Sequence, residues 1–180
     1  MHGSPINHCR QCGSAVENRI PDDGDTKLRA VCSACHTIHY INPLNVVGTI
    51  PLWGDKVLLC KRNIEPRKGK WTLPAGFMEL GETTAEGAAR ETVEEAGAQF
   101  EMQALFSLIN VARVGQVHLF YRATLLSPEF DPGTETQEAI LFDEADIPWD
   151  EIAFRTVKET LEHFFADRRA GQFGFHVLDI

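Results

Sequence analysis

No apolar run in these 180 residues is long enough to span a bilayer, which takes about 20 consecutive residues. The opening residues, MHGSPINHCR, lack the apolar core of a secretory signal. No internal repeat or low-complexity tract interrupts the chain. These absences set aside membrane-spanning, secreted and repeat architectures, and they make a cytoplasmic location the expectation. Basic residues are also scarce: 17 Lys and Arg against 26 Asp and Glu leave a formal charge of −9. Residues 1–42 carry equal numbers of each sign, so the whole excess falls in residues 43–180. A broad nucleic-acid surface needs the opposite sign. Neither nucleic acid nor a membrane is therefore an expected partner.

Four of the five cysteines stand as Cys9-x2-Cys12 and Cys32-x2-Cys35. Two such pairs at this separation predict a four-thiolate zinc site. A segment of about 40 residues cannot bury enough core to fold alone, and a structural metal solves that problem. Disulfides are the competing arrangement, and a chain without a secretion signal disfavours them. His8, His36 and His39 lie close by as substitute ligands, but four thiolates leave no position to fill. Cys60, in the apolar run Val57-Leu58-Leu59-Cys60, reads as a buried strand residue. Asn42-Pro43 marks a boundary, giving a zinc ribbon over 1–42 and a second domain over 43–180.

Residues 76–98, GFMELGETTAEGAARETVEEAGA, crowd glutamates into one short segment, although like charges at i,i+4 repel. Thr83 and Glu86 form a capping box, and Gly97 suits the left-handed position that ends a helix. The spacing predicts a helix over 84–96. At about 100° per residue, Ala85, Ala88, Ala89, Thr92 and Ala96 share a face of small residues suited to packing on a sheet. Glu91, Glu94 and Glu95 share a second face, and Gly87 leaves that face open to a ligand. Glu82, before the helix, is placed to pair with Arg90. Three convergent carboxylates without Cys or His are hard oxygen ligands, which favours Mg²⁺ or Mn²⁺ held together with substrate phosphates. A solvated acidic face is the alternative.

The pattern Gly76-x5-Glu82-x7-Arg90-Glu91-Thr92-x-Glu94-Glu95-x-Gly97-Ala98 resembles the Nudix box, with every charged and glycine position filled. Thr92 stands where the family usually has an aliphatic residue, and Ala98 is small for its position. The resemblance implies an α/β fold, an α/β/α sandwich around a mixed sheet, and metal-dependent attack of water on the pyrophosphate of a nucleoside diphosphate derivative. It makes Glu91, Glu94 and Glu95 the metal ligands, with Glu91, Glu94 and the distal Glu138 as catalytic candidates. Glu135 is a weaker neighbour of Glu138. Among the basic residues Arg62, Arg67, Lys68 and Lys70, Arg62 on its strand is the substrate-binding candidate. Phe77 is placed to stack on a base, core packing being the commoner role for such a residue.

Strands are predicted at 46–52 and 56–62 as a hairpin around Trp53-Gly54-Asp55, in a short extended piece at 71–75, and at 100–110, 116–125 and 139–142. A helix is predicted over 152–169 from the spacing of Ile152, Val157, Leu161, Phe164 and Phe165.

A zinc ribbon before a Nudix domain is similar to NADH pyrophosphatases and NAD-cap-removing enzymes, whose SQPWPFP signature is missing here. A longer resemblance, through PDDGDTKLRAVC, INPLNVVGTI, VLLCKRNIEP, GKWTLPAGFMELGE and GQVHLFYRATL, is to plant chloroplast FAD/ADP-ribose pyrophosphatases and their bacterial relatives. It implies FAD or ADP-ribose as substrate, with release of AMP. Family members with dinucleotide substrates are often homodimers, and a homodimer is the expectation. A nucleotide-sensing module without catalysis remains the alternative from another class.

Overall fold

The computed structural model describes residues 5–180. The chain divides into two compact units, Met1–Pro43 and Leu44–Ile180. In the first, three short antiparallel strands, β1 (Val16–Arg19), β2 (Arg29–Cys32) and β3 (Ile38–His39), form a small sheet in that order. Its buried apolar set among the described residues is meagre: Cys9, Pro21, Ala30, Val31 and Cys32. The Sγ atoms of Cys9, Cys12, Cys32 and Cys35 all lie within 4.8 Å of one another. Cys9 and Cys35 are 3.6 Å apart, and Cys12 and Cys32 are 3.5 Å apart. Those separations are far beyond a disulfide bond. They are close to the roughly 3.8 Å between sulfurs on one tetrahedral zinc, so the donor set fits that ion.

The second unit is built on an eight-stranded mixed sheet. Its main path is β10 (Thr136–Phe142), β5 (Lys56–Arg62), β4 (Leu44–Trp53), β9 (Gln116–Leu125), β8 (Phe100–Val111) and β11 (His176–Asp179). β4 runs parallel to β9 and β8 parallel to β11; the remaining neighbours are antiparallel. The β4–β5 hairpin keeps only two residue pairs, Leu52 with Val57 and Trp53 with Lys56. Beyond them the strands splay, and the gap is filled by β6 (Trp71–Thr72) on β5 and β7 (Ala75–Phe77) on β4. Pro74 splits what the sequence suggests is one extended piece, because it has no N–H for the ladder. Its carbonyl instead accepts from Thr49 at 3.1 Å.

Two helices cover the sheet. Alternation along β5 separates the two cores. Val57 and Leu59 pack with Val157, Leu161, Phe164 and Phe165 of α2 (Arg155–Ala170), while Leu58 and Cys60 pack with Ala96 of α1 (Thr84–Ala96). The architecture is therefore the expected α/β/α sandwich.

Helix α1 has the expected bounds, with both halves of the capping box formed and Gly97 at φ +60°. Helix α2 starts three residues later than the sequence predicts, because residues 149–151 form a 3₁₀ turn and Ile152 bridges to Trp71. The exposed strand β11 carries a weak alternation that sequence reading passes over. Among the described residues, no helix is long and apolar enough to cross a membrane.

Candidate functional site

The splay between β4 and β5 delivers the chain from the sheet into α1, and an open cavity of about 820 Å³ lies there. Glu91, Glu94 and Glu95 of α1 line it, together with Arg62, Gly76, Phe77 and Glu135. The three helix acids differ sharply in surroundings. Glu95 is buried, 7% exposed, and its Oε2 accepts the Ala75 N–H at 2.9 Å. Burial, helped by the neighbouring charge of Glu91, pushes its carboxyl up to about 7. Burial also raises Glu91, against the pull of Arg90. Glu94 is the exposed member.

Arg90 organises this acidic end. It holds Glu82 through two nitrogens at 2.9 and 3.0 Å, Glu91 at 2.8 Å, Glu94 at 3.2 Å and the Phe77 carbonyl at 3.1 Å. Glu82 also accepts the Glu79 N–H at 2.6 Å. Arg90, followed by that N–H, draws the Glu82 carboxyl down to about 2. The expected Glu82–Arg90 pair is thus a bidentate fork, the strong geometry for this couple. It ties the loop to the helix.

Two glycines set the spacing. A Cβ on Gly76 would overlap the Glu91 carboxylate as it stands, so any larger residue would displace that acid. Gly87 does not open a ligand face as the helical wheel suggests. A Cβ there would come within 2.5 Å of the Glu82 carboxylate and 2.9 Å of Val47. The buried stripe is Gly87, Ala88, Thr92, Glu95 and Ala96. It is rotated towards Glu95, which therefore belongs to the packed face as well as to the cavity.

Thr92 has a local explanation. Its hydroxyl donates to the Ala88 carbonyl at 2.7 Å and meets the Thr49 hydroxyl of β4 at 2.7 Å, all buried. A second polar residue on the strand thus balances the departure from an aliphatic one.

Several expectations about individual residues change. Glu138 stands opposite Lys61 in the β10–β5 ladder and pairs with its ammonium at 2.8 Å, outside the cavity. Its neighbour Glu135 lines the cavity instead. The reason is the loop before β10: the Gly133 N–H bonds to the Glu94 carbonyl at the end of α1, and the Glu135 carbonyl accepts from Asn63. Arg62, the substrate-binding candidate, lines the cavity, with its Nε on the Pro66 carbonyl at 2.9 Å and its guanidinium over the Phe154 ring. Arg67 and Lys68 are exposed and Lys70 lies near Glu151; none of the three lines the cavity. Phe77 is a cavity residue, 53% exposed, and not a core one. Cys60 is fully buried, and burial raises its thiol, which suits an inert strand residue.

Sequence reading misses much of the remaining wall, including Val46, Met78, Gln116, His118, Phe120 and Phe154. The even-numbered spacing of Gln116, His118 and Phe120 was the available signal, since alternate residues of a strand share a face. Thr156 also lines the cavity, and its hydroxyl is a sealed polar atom without a hydrogen-bond partner among the described residues.

Fold and site together define a Nudix protein with an amino-terminal ribbon. Residues 43–166 match the NUDIX domain, and residues 7–41 match the zinc-ribbon family described as Nudix N-terminal; the chain belongs to the Nudix family. It is 31% identical to an ADP-ribose pyrophosphatase of Methanocaldococcus jannaschii over 113 residues, 61% of this chain and 67% of that protein. It is 27% identical to the NAD-capped RNA hydrolase NudC of Vibrio parahaemolyticus over 169 residues, 90% of this chain and 62% of that one. The chain thus spans about two thirds of the length of these curated relatives. A crystal structure of a NUDIX hydrolase from Nitrosomonas europaea shares 50% identity and a TM-score of 0.93, covering 97% of this chain and 99% of that one.

Proposed function

We propose that the protein hydrolyses the pyrophosphate bond of a nucleoside diphosphate derivative, ADP-ribose or FAD, releasing AMP. One observation carries the reading: the α1 carboxylates Glu91, Glu94 and Glu95 line a single cavity together with Glu135 and Arg62. Burial leaves two of those acids, Glu91 and Glu95, reluctant to ionise without a cation nearby. That chemistry fits a hard divalent ion. Glu91, Glu94 and Glu95 would hold Mg²⁺ or Mn²⁺, which supplies neutralisation of the pyrophosphate and a more acidic water. Arg62 meets a phosphate oxygen, and Arg90 keeps the helix acids in place through Glu82. Glu135 takes the distal role that the resemblance assigns to Glu138, orienting the attacking water and accepting its proton. The water oxygen bonds to one phosphorus, the bridging P–O bond breaks, and the bridging oxygen leaves on the other phosphate. An NADH-type substrate is the second reading, supported by the likeness to NudC over both the ribbon and the domain.

The test is product identification by chromatography with FAD, ADP-ribose, NADH and diadenosine polyphosphates, with Mg²⁺ or Mn²⁺ and a chelator control. Metal-dependent AMP with FMN, or with ribose 5-phosphate, is the expected result. Preferred NADH cleavage would select the second reading, and no turnover at all would leave the sensing module. Glu95→Gln is expected to lower kcat by about a hundredfold or more with nucleotide affinity held. Glu135→Gln is expected to cost more turnover than Glu138→Gln; the reverse order would restore Glu138 to the site.

A further inference from the structure

The cavity has a second, uncharged end that the hydrolytic chemistry leaves unused. In the sheet register His118 of β9 stands beside Val46 of β4, and Val46 stands beside Phe77 of β7. Cross-strand neighbours in one row point to the same face. The His118 and Phe77 side chains therefore flank Val46, two strand spacings or about 10 Å apart. Gln116 lies two residues from His118 on the same face. Its Oε1 and the His118 Nε2 are 3.0 Å apart. Val46, Phe77, Met78, Gln116, His118 and Phe120 all line the cavity that also holds the acids.

The unspent hydrogen-bonding capacity of this pair is defined. With the Gln116 oxygen accepting from His118, the pair keeps the Gln116 amide protons as donors and the His118 Nδ1 as an acceptor. With the amide turned over, it keeps the Gln116 oxygen and an Nδ1–H. Either assignment leaves one donor side by side with one acceptor. Among the described residues neither side chain has a second hydrogen-bond partner, and neither belongs to the sealed polar groups. Burial lowers the His118 imidazole to about 4, so it stays neutral near pH 7 and has no charge to offer a phosphate.

We propose that Gln116 and His118 are the specificity-determining residues, which read the donor–acceptor edge of a planar, uncharged ring lying on Val46 against Phe77. The proposal rests on the hydrolase reading for its substrate class: the pyrophosphate lies at the acids, and the ring is the nucleotide's base or its cofactor counterpart. Adenine, the nicotinamide carboxamide and the flavin ring all carry such an edge.

The experiment separates these sources and does not need turnover. Adenosine, reduced (1,4-dihydro) nicotinamide riboside and riboflavin are each titrated into the metal-free protein while the His118 ring nitrogens are followed by NMR. One of the three is expected to shift both nitrogens, and Gln116→Leu to weaken its binding about tenfold or more. Gln116→Asn, which keeps an amide, should weaken it less. In turnover, Gln116→Leu should raise KM about tenfold for substrates carrying that ring and leave kcat within about threefold. No His118 shift with any of the three overturns the proposal, as does an equal loss of kcat on every substrate. A nucleoside that shifts His118 in a protein without hydrolytic activity would retire the hydrolase reading and keep this one. An active hydrolase without the shift would retire this one alone.

Discussion

The two units of this chain reach a folded state by different physics. The domain of residues 44–180 buries large side chains on both faces of a sheet, among them Phe106, Phe120, Leu161, Phe164 and Phe165. The ribbon has no comparable core, and what converges there is four sulfurs. On the proposed function a divalent ion would have opposite meanings in the two places: in the ribbon it would replace a core, while at the α1 carboxylates it would be a reagent on a fold already complete. Acids tolerate crowding there because Arg90 and backbone N–H groups offset part of their repulsion.

The comparison can be broken in several ways. The largest effect is expected from Cys12→Ser or strong chelation. Either should remove zinc-dependent folding energy on the order of 10 kcal/mol and collapse the dispersed amide resonances of the ribbon. Resonances of residues 44–180 should persist, and their loss as well would mean that the domain leans on the ribbon. Leu161→Ala should lower the domain's stability by about 2–5 kcal/mol, read from the urea midpoint; no change would say that α2 is not part of its core.

A pH dependence sharpens the contrast further. His118 titrates at about 4 in the fold, below about 6.5 for a free imidazole. Between those values the unfolded chain binds the extra proton. Stability should thus fall as pH drops from about 6.5 towards 4, by up to about 3 kcal/mol, and be unaffected by this group above that window. His118→Gln should flatten that part of the curve in urea titrations at pH 7.5 and 4.5.

The smallest effect concerns Thr92. Thr92→Val strands the Thr49 hydroxyl and should cost about 1–3 kcal/mol, whereas Thr49→Val with Thr92→Val should recover most of it. Purely additive losses in that cycle would show that the two hydroxyls do not act as a pair.

Much of this was legible along the chain because it is local. The capping box, the Gly97 stop and the bounds of α1 depend on residues within one or two turns. The cysteine pairs are likewise a spacing signal. The strands of the main sheet were visible as apolar runs between turns, except β11, which is short and half exposed. The site was read less completely. Glu138 and Glu135 are chemically alike in the sequence, and only the bonds of the 131–135 loop to the end of α1 decide which one enters the cavity. Gly87 looked like an opening because a helical wheel cannot show that Glu82 and Val47 pack over it.

The sequence by itself thus determined the ribbon's cysteine cluster, the family and the acids of α1, since each rests on residue type at short, regular separation. Tertiary structure alone decided that Glu95 is buried, that Phe77 faces a cavity, and that His118, with Gln116 bonded to it, stands across Val46 from Phe77. Those facts depend on the splay of β4 from β5 and on the register of β9. Alternation along a strand shows which residues share a face, but which partners that face meets across the fold leaves no trace in the chain.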